Sequence, residues 1–166
     1  ALGGVRRRRR AVRAAVPAAQ FAVVGARPPA SVRRLGAADP SVQVTGYVDD
    51  PRPYMEQAAA LIVPVRAGGG IRVKILEALA RGLPIVTTTV GYEGIDLTPG
   101  AELLVGDTPE AFAAALIGLL RDPERGRALA AAGRRVAEQH YDWRVVNPRV
   151  EGLYAQALAR GAAVAR

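Results

Sequence analysis

Residues 64–88 read PVRAGGGIRVKILEALARGLPIVTT. The apolar run Ala60-Leu61-Ile62-Val63-Pro64-Val65 leads into three consecutive glycines, Gly68 to Gly70. A helical pattern follows from about Ile71 to Arg81; Gly82 stops it and Pro84 forbids its return. Pro84 to Thr88 is a second apolar run, so the stretch reads strand, glycine turn, helix, strand. Apolar strands without alternation are buried on both faces, as in parallel sheets. The same rhythm continues outward. Upstream, Phe21-Ala22-Val23-Val24-Gly25 and Val42-Gln43-Val44-Thr45-Gly46 are glycine-closed strands. Between them a short helix spans Ser31 to Gly36, with Ser31 as its N-cap. Asp49-Asp50-Pro51 opens a helix reaching about Ala58. Downstream, Glu102 to Val105 is a fifth strand. Thr108-Pro109 and Asp122-Pro123 open two helices, the second running to about His140. Asp142 caps a last helix through Tyr154 and Leu158, with a kink or delayed start at Pro148. At the other end Leu2, Val5, Val12 and Val16 line one side of a helix that Pro17 ends. The expected fold class is α/β: a doubly wound parallel sheet, Rossmann-like, with ligands bound beyond the carboxyl ends of the strands. Gly25, Gly46, Gly68 to Gly70 and Gly91 all fall on that edge.

Composition narrows the function classes. The chain has 166 residues and no cysteine, so disulfides and thiolate metal sites are excluded, and His140 is its single imidazole. The length suits one domain. The net charge is +8, but Arg6 to Arg10 supply five charges as one block, and without them it is +3, which argues for no particular partner. That block reads either as a solvated helix face or as a contact for anionic lipid or nucleic acid. Aromatic residues are too few, and not interleaved with basic ones, for a single-strand-binding platform, and no nucleic-acid partner is expected for the domain. No apolar run approaches the ~20 residues that span a bilayer.

Three glycines between strand and helix let backbone N–H groups approach a ligand closely, and the following helix aims its positive dipole end into the same space. The corner suits an anion, most simply a phosphate or diphosphate. No Walker Lys-Ser/Thr follows, and the dinucleotide pattern fails because position 73 is Val. Lys74 and Glu77 stand three apart on one helix face. They form either a solvated surface salt bridge or a placed pair. The apolar sequence neighbours Leu76, Ala78, Leu79 and Ala80 favour a placed carboxylate, able to accept bonds from two adjacent hydroxyls.

The segment resembles the nucleotide-sugar-binding core of retaining GT-B glycosyltransferases of group 1 (family 4). The matching residues are Gly68, Gly69, Gly70, Ile71, Arg72, Lys74, Glu77, Ala78, Ala80, Gly82, Pro84, Ile85, Val86, Thr88, Gly91, Glu93 and Gly94. Val24-Gly25, Val44 to Asp50, the Pro109–Leu120 helix, Tyr141-x-Trp143 and Leu153-Tyr154 extend the likeness over nearly the whole chain. The resemblance implies that Glu77 binds the ribose hydroxyls and that the amides around Gly69, Gly70 and Ile71 hold the diphosphate or the sugar. It places Arg72 at the donor, gives Lys74 a share of the phosphate charge, and sets Gly25, Gly46, Tyr47 and Val48 along the base. It implies transfer of a sugar from a nucleoside diphosphate sugar to an acceptor with retention. Such enzymes generally need no metal, so neither cofactor nor metal ligand is expected, and no catalytic residue is assigned. Many members carry a second Glu where this chain has Gly69, which leaves the sugar contacts open.

By the same resemblance, residues 1–166 are the C-terminal half of a GT-B fold: a nucleotide-sugar-binding domain from a longer protein, its first, central strand and its acceptor-binding domain absent. The expected partners are the nucleotide sugar, the N-terminal domain of the same protein, and a possible strand-completing contact with another chain. The Phe21 and Leu61 strands are expected either to close on each other or to receive that strand. The piece alone is expected to be inactive. Its expected place is the cytoplasm, with a membrane surface as a possible contact. The alternative is a non-catalytic nucleotide-binding or interaction module on the same fold. For single residues the ordinary readings are a dipole-compensating His140 at a helix end, Trp143 as a core anchor, and Glu93 either at the donor or in solvent.

Overall fold

The computed structural model describes residues 2–164. Seven helices and five short strands follow one another: α1 (Leu2–Ala15), β1 (Phe21–Val24), α2 (Ala30–Ala38), β2 (Val42–Gly46), α3 (Arg52–Glu56), β3 (Leu61–Val63), α4 (Val73–Ala80), β4 (Ile85–Thr87), β5 (Leu104–Val105), α5 (Pro109–Arg121), α6 (Pro123–Val136) and α7 (Trp143–Val164). A 3₁₀ turn, Thr89–Gly91, follows β4, and a π-helical turn, Ala137–Tyr141, joins α6 to α7. All strand pairs are parallel, β1 with β2 and β4 between β3 and β5.

Period-two alternation across the β3–β4–β5 sheet builds two apolar layers. Leu61, Val63, Ile85 and Leu103 face Ile75, Ala78 and Leu79 of α4, whereas Ile62, Val86 and Leu104 face Phe112, Leu116 and Leu119 of α5. Helices cover both faces, the doubly wound arrangement expected from the apolar strands. Val12 of α1 is fully buried in the α5 layer, and Phe21 and Ile62 both border it. The side chains of Leu2, Val5 and Arg6 to Arg8 lie outside the described residues.

Local chemistry sets most boundaries. Thr108 and Asp122 accept the backbone N–H of Ala111 (3.1 Å) and Arg125 (3.0 Å), each with Pro at the first helical position. Asp50 accepts the Arg52 N–H at 2.9 Å, opening α3. At the end of α4, Gly82 takes φ +63, its N–H donates to Leu79 O and the Leu83 N–H donates to Ala78 O. That double closure is a Schellman motif.

Five expectations change. The two strands flanking the central position do not close on each other: β1 pairs only with β2, and β3 only with β4, so the sheet is in two pieces. Ala22 and Val23 stay exposed, and Leu61 and Ile62 are only half-buried. Backbone groups reached by water need no protein partner, which removes the penalty that closure would have relieved. Ser31 is inside α2, whose cap position is Pro29, and makes no capping bond. Of the kink or delayed start expected at Pro148, the delayed start is ruled out, since α7 runs from Trp143 through that residue. Trp143 is 75% exposed, because α7 leaves the domain surface where the core ends. The arginine block is not wholly solvated: Arg9 is tied to Asp39 in an ion pair and donates to Ser41 Oγ at 3.3 Å, joining α1 to the α2–β2 loop.

Candidate nucleotide site

The carboxyl ends of β3 and β4 lie side by side, with Val63 opposite Thr87. Two buried hydroxyls weld them: Thr87 Oγ1 donates to Val63 O at 3.1 Å and Thr88 Oγ1 donates to Val65 O. Unpaired hydroxyls would be costly there, so these bonds fix the line along which the chain leaves β3. Beyond them the Gly91 N–H donates to Thr88 Oγ1 at 3.1 Å. Asp107 closes the 3₁₀ turn, accepting both the N–H and the hydroxyl of Thr89 at 2.8 Å. The Glu93–Gly94 turn lies against the glycine turn: a Cβ on Gly94 would come within 3.3 Å of Ile71 Cγ1. Glu93 itself is exposed.

The glycine turn is extended by two residues over the sequence reading. Ile71 and Arg72 stay outside the helix, and Arg72, extended at φ −88 and ψ 90, is the cap residue of α4. No side chain caps that helix. Among the described residues, the backbone N–H groups of residues 68–74 have no protein acceptor. They gather at the positive end of the helix dipole. Two exposed cations flank them, Arg66 in the turn and Lys74 in the first turn of α4, neither paired with an acid among the described residues. Glu77, one turn further, is also exposed, and its carboxylate forms no bond with Lys74 or any other described residue. The salt-bridge alternative is therefore not what the structure contains. Its setting is aqueous rather than apolar, because steps of ~100° per residue turn Ala78 and Leu79 into the core while Glu77 looks outward.

Gly69, Gly70, Ile71, Arg72, Lys74 and Glu77 are thus contiguous around one corner. Gly25, Gly46, Tyr47 and Val48 sit apart, at the end of the β1–β2 pair, where the Gly25 N–H donates to Gly46 O at 3.1 Å and Tyr47 is 74% exposed. No hydrogen bond or salt bridge among the described residues joins them to that corner. A cavity of about 520 Å³ opens elsewhere, between α4, the π-helical turn and the start of α7, lined by Leu76, Ala80, Tyr141 and Val145. Lys74 and Glu77 do not line it. His140 is exposed in the π-helical turn. Among the described residues no group of three or more His, Asp or Glu side chains is placed to hold a metal ion, and no helix is long and apolar enough to cross a membrane.

Sequence reasoning passed over Arg66 and the structural task of Thr87 and Thr88. Two polar residues closing an otherwise apolar strand were the available signal, since a buried hydroxyl must find an acceptor.

The bonds from Thr89 hold the Asp107 carboxyl below the usual carboxylate range, and those from Arg52 and Arg144 do the same for Asp50 and Asp142. A carboxyl depressed in the folded state stabilises it above the unfolded pKa, and this is lost as pH falls through the folded one. The thermal midpoint should therefore decline as pH drops below about 4. Asp107→Asn should show a shallower decline in the same acid scan; an unchanged slope would remove Asp107 as a contributor.

Residues 5–122 match the family model for glycosyl transferases group 1. A GDP-mannose-dependent monoacylated alpha-(1-6)-phosphatidylinositol monomannoside mannosyltransferase of Corynebacterium glutamicum is 34% identical over 151 residues, covering 84% of this chain and 40% of that protein. Among solved structures, sucrose-phosphate synthase from Thermosynechococcus elongatus superimposes with a TM-score of 0.78 at 24% identity, over 93% of this chain and 42% of the other. HepE of Anabaena, solved with UDP and glucose, gives 0.70 at 18% identity, over 88% of this chain and 44% of that one. At those identities the structures establish the shared fold. The chain spans about two fifths of the length of that mannosyltransferase.

Proposed function

Because the chain belongs to the group 1 glycosyltransferases, we propose that these residues hold the nucleotide end of a nucleoside diphosphate sugar, and that the whole protein passes the sugar to an acceptor with retention. The observation that carries this reading is the row of uncommitted backbone N–H groups over residues 68–74, flanked by the unpaired cations Arg66 and Lys74. Fixed donors and a helix end stabilise a diphosphate, both when bound and when it departs as leaving group. Glu77 then accepts the two ribose hydroxyls, and Tyr47, with Gly25, Gly46 and Val48, borders the base once the nucleotide spans both pieces of the sheet. No protein-bound cofactor or metal is assigned to the reaction. The unpaired edges of β1 and β3 support a strand-completing contact in the assembled protein. Turnover and acceptor choice belong to that whole protein.

The Corynebacterium relative is named for GDP-mannose, and HepE was solved with UDP. Calorimetric titration of the chain with GDP and with UDP tests the reading. Saturable binding of one or both, competed by pyrophosphate, is expected. Absence of heat with both at millimolar concentration would defeat it.

A further inference from the structure

We propose that Arg72 is a positioning residue that aims the backbone N–H groups of Gly69, Gly70 and Ile71 at the donor. The inference rests on the nucleotide reading above but begins from a different observation. The Arg72 guanidinium folds back over its own turn: Nη1 donates to Gly69 O at 2.6 Å and to Gly70 O at 2.5 Å, and Nη2 donates to Gly68 O at 2.9 Å. Three successive carbonyls converge on one planar cation.

A trans peptide carries its C=O and the next residue's N–H on opposite sides, and the described chain has no cis peptide. Pulling the carbonyls of residues 68, 69 and 70 toward the guanidinium therefore turns the N–H groups of Gly69, Gly70 and Ile71 to the opposite side together. The turn conformation depends on glycine. Gly68 and Gly70 have φ +123 and +86, which side chains rarely adopt, and a Cβ on Gly68 would come within 3.2 Å of Arg72 Nη2. The cation also lies at the negative ends of these peptide dipoles, and no acid among the described residues neutralises it. Its charge thus adds to the field of the corner without needing to touch a ligand. A planar fork spans three acceptors in a way that the compact ammonium of lysine does not. Arg72 then works behind the turn, whereas Arg66 and Lys74 remain the side chains free to meet the anion.

Arg72→Lys separates this role from a direct charge contact, because it keeps the charge and loses the fork. Two measurements are made on wild type, Arg72→Lys and Arg72→Ala. In the ligand-free proteins, ¹⁵N relaxation of Gly69, Gly70 and Ile71 is expected to show order parameters near roughly 0.85 in wild type and under roughly 0.6 in both variants. In titrations with GDP and UDP both variants should bind about tenfold more weakly, the scale of losing charge-assisted hydrogen bonds, with thermal midpoints close to wild type. Arg72→Lys binding like wild type, or glycine amides equally ordered in all three proteins, would overturn the proposal. Should wild type bind no nucleotide, the functional reading falls, and the ligand-free relaxation data still decide whether Arg72 holds the turn.

Discussion

Gly91→Ala is expected to destabilise the protein by about 3 kcal/mol, at the upper end of overpacking effects, and to lower the thermal midpoint by roughly 6–12 °C for a domain of this size. The reason is space, not backbone conformation. A Cβ at residue 91 would stand 2.1 Å from Thr87 Oγ1, 3.0 Å from Val63 O and 3.2 Å from Thr88 Oγ1. None of these is the loose end of a flexible side chain. Thr87 Oγ1 is held by its bond to Val63 O, and Thr88 Oγ1 both donates to Val65 O and accepts from the Gly91 N–H. The methyl group must break at least one of these bonds inside a fully buried site, leaving a carbonyl or hydroxyl without its partner. The damage would also reach the donor corner, because the same hydroxyls fix where the chain departs from β3 toward the glycine turn. Thermal denaturation of Gly91→Ala, Thr87→Ala and the double variant provides the check. Removing the Thr87 hydroxyl makes room for the new methyl, so the double variant should be less destabilised than the sum of the singles. Strict additivity would mean that the collision with Thr87 is not the cause.

That weld also marks where sequence reading stops. Features decided within four or five residues were legible: Asp122-Pro123, Thr108-Pro109 and the Gly82-Leu83-Pro84 stop each form through neighbours in the chain. The alternation of Leu61, Ile62 and Val63 between two layers follows from strand geometry, so a doubly wound fold could be read from apolar runs alone. Three other features depend on partners remote in sequence or on departures from local preference. Arg9 leaves solvent because Asp39, thirty residues on in the α2–β2 loop, pairs with it. α4 starts at Val73 instead of Ile71 because the Arg72 side chain spends its donors on the turn behind it. The Phe21 and Leu61 strands keep apart although Phe21 and Ile62 border the same apolar layer, an outcome that no residue near either strand in sequence decides. In the candidate site, the residues contiguous in sequence were identified together, whereas the Gly25 and Gly46–Val48 group could be tied to them only through a bound nucleotide.

Replacing Glu77 should separate affinity from stability more cleanly than any other change at the corner. Glu77→Ala is expected to weaken nucleotide binding by about 1.5–3 kcal/mol, the range for hydrogen bonds to a charged group. Its effect on folding should stay within roughly 0.5 kcal/mol, as for an exposed side chain with no partners. Exposed, and free of bonds to any described residue, this carboxylate has no structural task to lose. Its place one turn along from uncommitted N–H groups suits a pentose attached to a diphosphate held at the helix end. Helix residues rise ~1.5 Å each, so from the first N–H groups of α4 to Glu77 is a span a ribose can bridge. A carboxylate with two lone-pair-bearing oxygens can accept both vicinal hydroxyls at once. Calorimetry with GDP or UDP and with the 2′-deoxy analogue, on wild type and Glu77→Ala, tests the contact directly. In wild type the missing hydroxyl should cost affinity, and in the variant it should cost little, since the acceptor has already gone. An equal penalty for the deoxy nucleotide in both proteins would place the ribose away from Glu77, even if the variant bound more weakly for other reasons.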